Sequence, residues 1–202
     1  PRPELLETIR SLARFVDTII VGSPVAFGAV DALALATGDV RLASGPRLLP
    51  DEAAVWADLM GSGRVLLPVD MVTSRDGAGD RRTLASIPSG SRAVDIGHRS
   101  AARFGQILAR AGTVFWDGPM GDPGDDHYSP GTIAMAEAVA GSPAFTVVSG
   151  AETVESVERL GLTAFADHVS TGGAASLQLL RDGDLPGIRA VRDAATQWSR
   201  AR

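Results

Sequence analysis

Short apolar runs alternate with helix-length stretches about six times along this chain, and that alternation leaves few folds open. The runs are Thr18–Val21, Arg64–Pro68, Ala93–Ile96, Thr113–Trp116, Phe145–Val148 and His168–Val169. Each is short and nearly all apolar, as strands are when helices cover both faces of a parallel sheet. Between and around them, residues 3–15, 26–36, 51–60, 97–110, 130–139, 152–160 and 188–201 read as helices. Pro3 falls in a first turn and Asp51 is placed to cap the third of these helices. Residues 71–87 read as irregular, with Asp76–Asp80 as a turn-rich tip suited to a hairpin. The expectation is one α/β domain over residues 1–202. It is a three-layer, Rossmann-like domain with a six-stranded, mainly parallel sheet.

Ligands of such sheets bind where the strands end at their carboxyl edge. Here those ends carry Gly22-Ser23-Pro24, Pro68-Val69-Asp70, Asp95-Ile96-Gly97, Asp117-Gly118-Pro119, Ser149-Gly150-Ala151-Glu152 and Thr171-Gly172-Gly173. Small and acidic residues gathered on one edge point to a binding site more strongly than any single loop. Tight turns alone would also use small residues.

The most informative of these stretches runs from His168 to Leu180. It reads as a strand, a small-residue turn and a helix. Ser170 and Thr171 are placed to cap the helix through their hydroxyls. Gly172 and Gly173 let the backbone approach a ligand. Leu177, Leu179 and Leu180 supply an apolar face. The first N–H groups of such a helix lack intrahelical partners and carry partial positive charge, so a phosphate fits there. A plain strand-to-helix connection is the competing reading.

Composition excludes several classes. No cysteine is present, which removes disulfides, thiolate metal sites and cysteine nucleophiles. His98, His127 and His168 are too scattered for a zinc site. A net charge of −5 does not suggest a nucleic-acid partner. No apolar run reaches the ~18 residues of a membrane span, and residues 1–15 mix charge with apolar residues unlike a signal peptide. A cytoplasmic setting is the default expectation. The start at Pro1 suggests a fragment or a processed chain.

Five ordered motifs resemble one family. Trp116-Asp-Gly-Pro-Met-Gly121 is similar to the Trp-Asn-Gly-Pro-Met-Gly of phosphoglycerate kinases. His168-Val-Ser-Thr-Gly-Gly-Ala-Ala-Ser-Leu177 is similar to their His-Ile-Ser-Thr-Gly-Gly-Gly-Ala-Ser-Leu. Leu66-Leu-Pro-Val-Asp70, Asp95-Ile-Gly97 and Leu185-Pro-Gly187 match in the same order. The resemblance covers nearly the whole chain and is to the family's C-terminal, nucleotide-binding half. It implies binding of ADP or ATP with Mg²⁺, and phosphoryl transfer with 3-phosphoglycerate in glycolysis once an N-terminal substrate domain or partner chain is supplied. It also implies roles for particular residues. Thr171, Gly172 and Gly173, with Ala174, would hold the transferring phosphoryl group. Gly22 and Ser23 would lie on the adenine side. Asp117, Gly118, Pro119, Gly150 and Glu152 would line the nucleotide, with Glu152 reaching Mg²⁺.

The departures from the family pattern are equally specific. No lysine occurs in the chain, and by spacing the family's two phosphate-gripping lysines fall on Pro1 and Leu5. Arginine is not an equivalent replacement, its fork being larger and flatter. The triple glycine on the adenine side is Gly22-Ser23-Pro24. The family's Asn is Asp117, which stands either toward the phosphates, where like charges repel, or as a turn cap. Its ribose-binding Glu is missing at Asp122-Pro123-Gly124, with Asp125 or Asp126 as stand-ins. Glu152 replaces an Asp and is either a water-linked magnesium contact or a helix N-terminal acid. Asp70 and Asp95 read as turn caps, with water-linked magnesium contacts as the alternative; His168 reads as structural rather than catalytic, Trp116 as core, and Phe27 as core or as the lining of an adenine pocket. Ile188, Val191, Ala195 and Trp198 recur at helical spacing in a basic tail. That face is expected to pack on this domain or on a second chain. The competing functional reading is a degenerate, non-catalytic domain that binds nucleotide weakly or binds another protein. The chain alone is expected to be inactive.

Overall fold

The structure, a computed structural model, describes residues 3–22, 25–26, 28–30, 50–75, 78–83, 92–122 and 129–200. The calls on Ser23, Pro24, Phe27, Pro123, Gly124, Asp125, Asp126 and His127 lie outside those residues. The chain opens with α1 (Pro3–Leu12) and β1 (Ile19–Ile20). Residues 25–26 and 28–30 are helical. Next come α2 (Pro50–Gly61), β2 (Val65–Leu66), β3 (Asp70–Arg75), β4 (Ala78–Thr83), β5 (Arg92–Ile96) and α3 (His98–Leu108). The C-terminal part holds β6 (Thr113–Asp117), α4 (Pro130–Ala140), β7 (Phe145–Ser149) and α5 (Ala151–Arg159). A 3-10 turn (Thr163–Phe165) leads to β8 (His168–Ser170), α6 (Ala174–Asp182) and α7 (Pro186–Arg200).

The α/β alternation therefore holds, and the sheet corrects the expectation. The strands among the described residues form three sheets, and no single six-stranded sheet is resolved. β1 pairs with β2 in parallel, and β6, β7 and β8 form a parallel sheet in that order. The third sheet, β4-β3-β5, is antiparallel throughout. Its hairpin occupies most of the stretch expected to be irregular, and Arg75 pairs with Ala78 across the anticipated turn. Ala93–Ile96 is a strand as expected, but it runs against β3 and not along a parallel neighbour. α2 begins at Pro50, so the backbone of Asp51 lies within the helix rather than ahead of it.

Two apolar clusters fill the interior. The first is built on Leu6, Ile9, Val21, Trp56, Leu59 and Met71. The second gathers Ile96, Phe104, Val114, Trp116, Met135 and Val148, and Ile20 and Leu66 of the β1–β2 pair pack against it. Trp116 is 6% exposed, the core residue it was expected to be.

For the amphipathic tail the structure bears only on the first alternative, packing on this domain. Residues 186–199 of α7 are exposed throughout, with Val191 at 72% and Trp198 at 67%. Its apolar face is thus largely exposed rather than buried in this domain's core. None of the described helices is long and apolar enough to cross a membrane.

Candidate functional site

The parallel pairing of β6, β7 and β8 brings three strand ends level. Asp117 is the register partner of Ser149, and Ser149 is the register partner of Ser170. The loops that leave these three residues are the ones the sequence marks as small and glycine-rich.

The loop after β6 is held at two points by hydroxyls from neighbouring helices. Gly118 donates its backbone N–H to Thr153 Oγ1 of α5 at 2.7 Å. Met120 and Gly121 donate theirs to Thr132 Oγ1 of α4 at 3.0 and 3.3 Å. Trp116 Nε1 donates to the Gly118 carbonyl at 2.8 Å, which ties the loop to the core as well. Thr132 and Thr153 are buried. Sequence reasoning missed both. The available signal was a threonine in the first turn of each helix, after Pro130-Gly131 and after Ala151-Glu152. A Cβ on Gly22 would come within 3.1 Å of the Pro119 carbonyl, so the end of β1 lies against the same loop.

Asp117 reaches the surface, but its carboxyl lies close beneath the next loop. A Cβ on Gly150 would sit 3.2 Å from Asp117 Oδ1 and 3.4 Å from Thr153 Oγ1. Gly150 takes φ +85°, a conformation that favours glycine and leaves that space open. Partial burial pushes the Asp117 carboxyl above its ordinary pKa, against an opposing contribution from the Ser149 hydroxyl. That hydroxyl is itself buried and closes no hydrogen bond of standard geometry. It is near enough to influence the carboxyl without being fully satisfied by it. Glu152 is exposed in the first turn of α5, where the helix dipole favours an acid.

The turn after β8 opens α6. Gly173 is the residue preceding the helix, at φ 50° and ψ −126°, a backbone geometry dominated by glycine. No side chain caps this helix, which corrects the expected role of Ser170 and Thr171. Ser170 Oγ instead lies 2.6 Å from Ser176 Oγ and accepts from the Gly172 N–H at 3.3 Å. A Cβ at 172 would collide with Ser176 Oγ as it stands, so a larger residue there requires that hydroxyl to turn away from Ser170. Ala175 and Ser176 donate back to the carbonyls of Gly172 and Gly173 at 3.0 Å each, leaving the Gly173 and Ala174 amides as the helix's outermost donors. Thr171, Gly172 and Ala174 are exposed. Leu179 and Leu180 remain 38% and 40% exposed, so the leucine face holds α6 only in part. His168 is exposed at the start of β8 and is not an enclosed structural histidine.

Asp70 and Asp95 are caps, as read. Asp70 accepts from the Ser100 N–H at 2.8 Å and the Arg99 N–H at 3.3 Å, closing the N-terminus of α3. Burial pushes its carboxyl up, but the hydrogen bonds from Ser100 and Arg99, with His98 nearby, prevail and hold it below its ordinary value. Asp95 accepts from the Gly131 N–H at 2.7 Å, at the start of α4, and from the Ile96 N–H at 2.8 Å. Here burial outweighs both bonds and pushes the carboxyl up to about 6.

The chemistry this edge offers is anion binding by backbone amides, with little charge behind it. Among the described residues no three His, Cys, Asp or Glu side chains are grouped to hold a metal ion. A groove between α1 and α2, lined by Glu7, Arg10, Arg14, Asp58 and Ser62, touches none of the predicted site residues.

Comparison with known proteins gives a consistent picture. The family model described as "Phosphoglycerate kinase" matches residues 3–183. The chain is 35% identical over 190 residues to the phosphoglycerate kinase of Solibacter usitatus, covering 92% of this chain and 47% of that protein. It is 36% identical over 198 residues to that of Chloroflexus aurantiacus, covering 92% and 48%. Among solved structures, phosphoglycerate kinase from Coxiella burnetii superposes with a TM-score of 0.78 at 28% identity, covering 96% of this chain and 50% of that one. The enzyme from Pyrococcus horikoshii gives 0.75 at 26% identity, covering 93% and 48%. The chain spans about half the length of the curated relatives it matches.

Proposed function

The chain belongs to the phosphoglycerate kinase family, and on that footing we propose that it is the family's C-terminal, nucleotide-binding half. In this reading it binds Mg-ADP or Mg-ATP at the carboxyl edge of β6, β7 and β8. It takes part in phosphoryl transfer with 3-phosphoglycerate, a cytoplasmic step of glycolysis, when joined to an N-terminal substrate domain. The observation that carries the reading is the level alignment of Asp117, Ser149 and Ser170, each followed by a loop without bulk.

The proposed roles follow the resemblance, loop by loop. Gly173 and Ala174 direct the outermost amides of α6 at a phosphate, assisted by the exposed Thr171 and Gly172. Gly118, Pro119 and Gly150 supply a wall that approaches the nucleotide by backbone. The resemblance assigns the adenine side to Gly22 and Ser23, the latter outside the described residues. Glu152 contacts magnesium through water, the metal serving to neutralise phosphate charge.

Phosphoryl transfer rests on positioning and charge neutralisation. This chain holds no lysine, and its acid substrate has no site in the reading above. The isolated 202-residue chain therefore binds nucleotide without turning over. The missing lysines also favour a second reading, a degenerate domain that binds nucleotide weakly or serves as an interaction module. Calorimetry with Mg-ADP, beside a coupled kinase assay with and without an added N-terminal substrate domain, separates the two. Binding plus activity on addition supports the enzyme half. Binding without activity favours the degenerate domain, and no binding at millimolar Mg-ADP overturns the nucleotide site.

A further inference from the structure

The loop after β6 turns its backbone donors inward. Gly118 donates to Thr153 Oγ1, Met120 and Gly121 to Thr132 Oγ1, and Asp122 to the Val94 carbonyl at 2.7 Å. The Asp122 carboxylate also pairs with Arg92 at 2.9 Å. Arg92 and Val94 belong to β5, which carries none of the residues proposed to line the nucleotide. β5 is bulged at this point. Val72 and Thr73 are neighbours on β3, yet they pair with Asp95 and Ala93, so Val94 is an extra residue between the two. A bulge re-aims the side chains beside it. The next one is Asp95, which is 0% exposed and divides its oxygens. One accepts from the Ile96 N–H of its own strand, the other from the Gly131 N–H in the first turn of α4. Among the described residues no basic side chain pairs with it, so the buried carboxylate costs stability that a neutral cap would not. What the two bonds secure is position, since one rigid group fixes strand and helix against each other. A Cβ on Gly131 would collide with that carboxyl and with Ile96. The next residue on α4 is Thr132, which holds Met120 and Gly121.

Resting on the nucleotide reading above, we propose that Asp95 is a positioning residue for nucleotide binding: through Gly131 and Thr132 it sets the place of the Gly118–Pro119 wall without touching the ligand. The bulged Val94 supplies the fixed frame, since its carbonyl holds Asp122 at the far end of the same stretch. An amide at position 95 has one acceptor oxygen, so it keeps one of the two bonds and turns an NH₂ toward the other N–H. The start of α4 then shifts against β5, and Thr132 carries Met120 and Gly121 with it. The Gly173–Ala174 turn opens α6 and has no part in this chain of contacts. Asp95 therefore acts on one wall of the site and leaves the phosphate-facing turn as it is.

The test is calorimetry with Mg-ADP at neutral pH on the 202-residue chain, Asp95→Asn, Thr132→Val and the double variant. Titrations run well below each unfolding midpoint, so lost stability does not by itself change affinity. Proton–nitrogen spectra of the free proteins read the wall directly, because Trp116 Nε1 donates to the Gly118 carbonyl. Asp95→Asn should leave the indole resonance of the core residue Trp56 in place and move that of Trp116, with the Met120 and Gly121 amides. It should bind Mg-ADP about tenfold more weakly, a usual size for coupling between a remote group and a site. In the Thr132→Val background the same substitution should cost less than about twofold, because the route is already broken. Unchanged affinity, an unmoved Trp116 resonance, or losses that simply add in the double variant overturns the proposal and leaves the nucleotide site standing. Absence of binding by the wild type overturns the nucleotide reading and this inference together. Amide exchange in the wild type keeps the test independent of how the variants fold. Mg-ADP must protect the Gly131 amide more than the Ser100 amide, which Asp70 holds in the same way at the start of α3. Equal gains refute the linkage.

Discussion

Substituting Ala174→Asp separates phosphate binding from helix stability, because it moves them in opposite directions. Ala174 is the first residue of α6, is exposed, and follows Gly173 at the turn. A carboxylate there faces the positive end of the helix dipole, which is worth about 0.3–1 kcal/mol of added stability. The same charge stands where the phosphate is proposed to sit. At ~6 Å two unit charges repel by about 0.7 kcal/mol in water and about 3 kcal/mol at an effective dielectric of 20. A phosphate of roughly two negative charges doubles either figure, so even the water limit gives about tenfold weaker binding. Calorimetry with Mg-ADP near 0.1 M salt, beside thermal unfolding, reads both effects. Ala174→Asn controls for size. The variant should unfold at a slightly higher temperature and bind at least about tenfold more weakly, with part of the loss recovered at high salt as charge is screened. Wild-type affinity in a variant that is stabilised as expected would place the phosphate elsewhere. Gly173→Asp is a poorer test, since any side chain at φ 50° strains the turn before charge is considered.

Three further outcomes are expected. Thr132→Val should cost about 1–3 kcal/mol of stability by leaving the Met120 and Gly121 amides without their acceptor, and Thr132→Ser should restore most of it in denaturant unfolding. Asp95 keeps its proton up to about pH 6 in the folded chain but loses it near 3.8 when unfolded, so its contribution to stability is present at low pH and is lost as pH rises toward 6. The difference between wild type and Asp95→Asn should fall by an amount on the order of 3 kcal/mol across that window, and a flat difference would refute the assignment. Deleting residues 188–202 should leave the melting temperature of the rest nearly unchanged, because the described side chains of α7 are all exposed; a large drop would show that the tail is covered.

Much of this architecture is legible in local pattern. Spacing places the helices starting near Pro3, Pro130 and Glu152 to within a residue or two, since each buries one face. The apolar runs at Val114, Val147 and Val169 give the parallel strands that level the site. What escapes the sequence is contact at a distance. Nothing beside Asp95 announces that its partner is the amide of Gly131, or that Thr132 will reach back to Met120. The antiparallel direction of β5 is equally hidden, because a short apolar run reads the same whichever way its neighbour points. For α7 the pattern is misleading in another way. Ile188, Val191 and Trp198 specify an amphipathic helix, yet periodicity does not say whether anything lies against it.

The division of the interior into two apolar clusters has a consequence for how the molecule opens. One cluster draws on residues from Leu6 to Ala93 and the other on residues from Ile96 to Val157, with the break inside β5. Two cooperative units are expected on this division, coupled by β5 and by the packing of Ile20 and Leu66 across the boundary. Amide exchange should therefore resolve two tiers of protection, and Trp56→Ala should lower the first far more than the second. Asp117 ends β6, Gly150 and the Gly172–Gly173 turn follow β7 and β8, and Gly22 follows β1. Opening of the first unit would thus free the Pro119 loop from Gly22 and leave in place the turns proposed to face a phosphate.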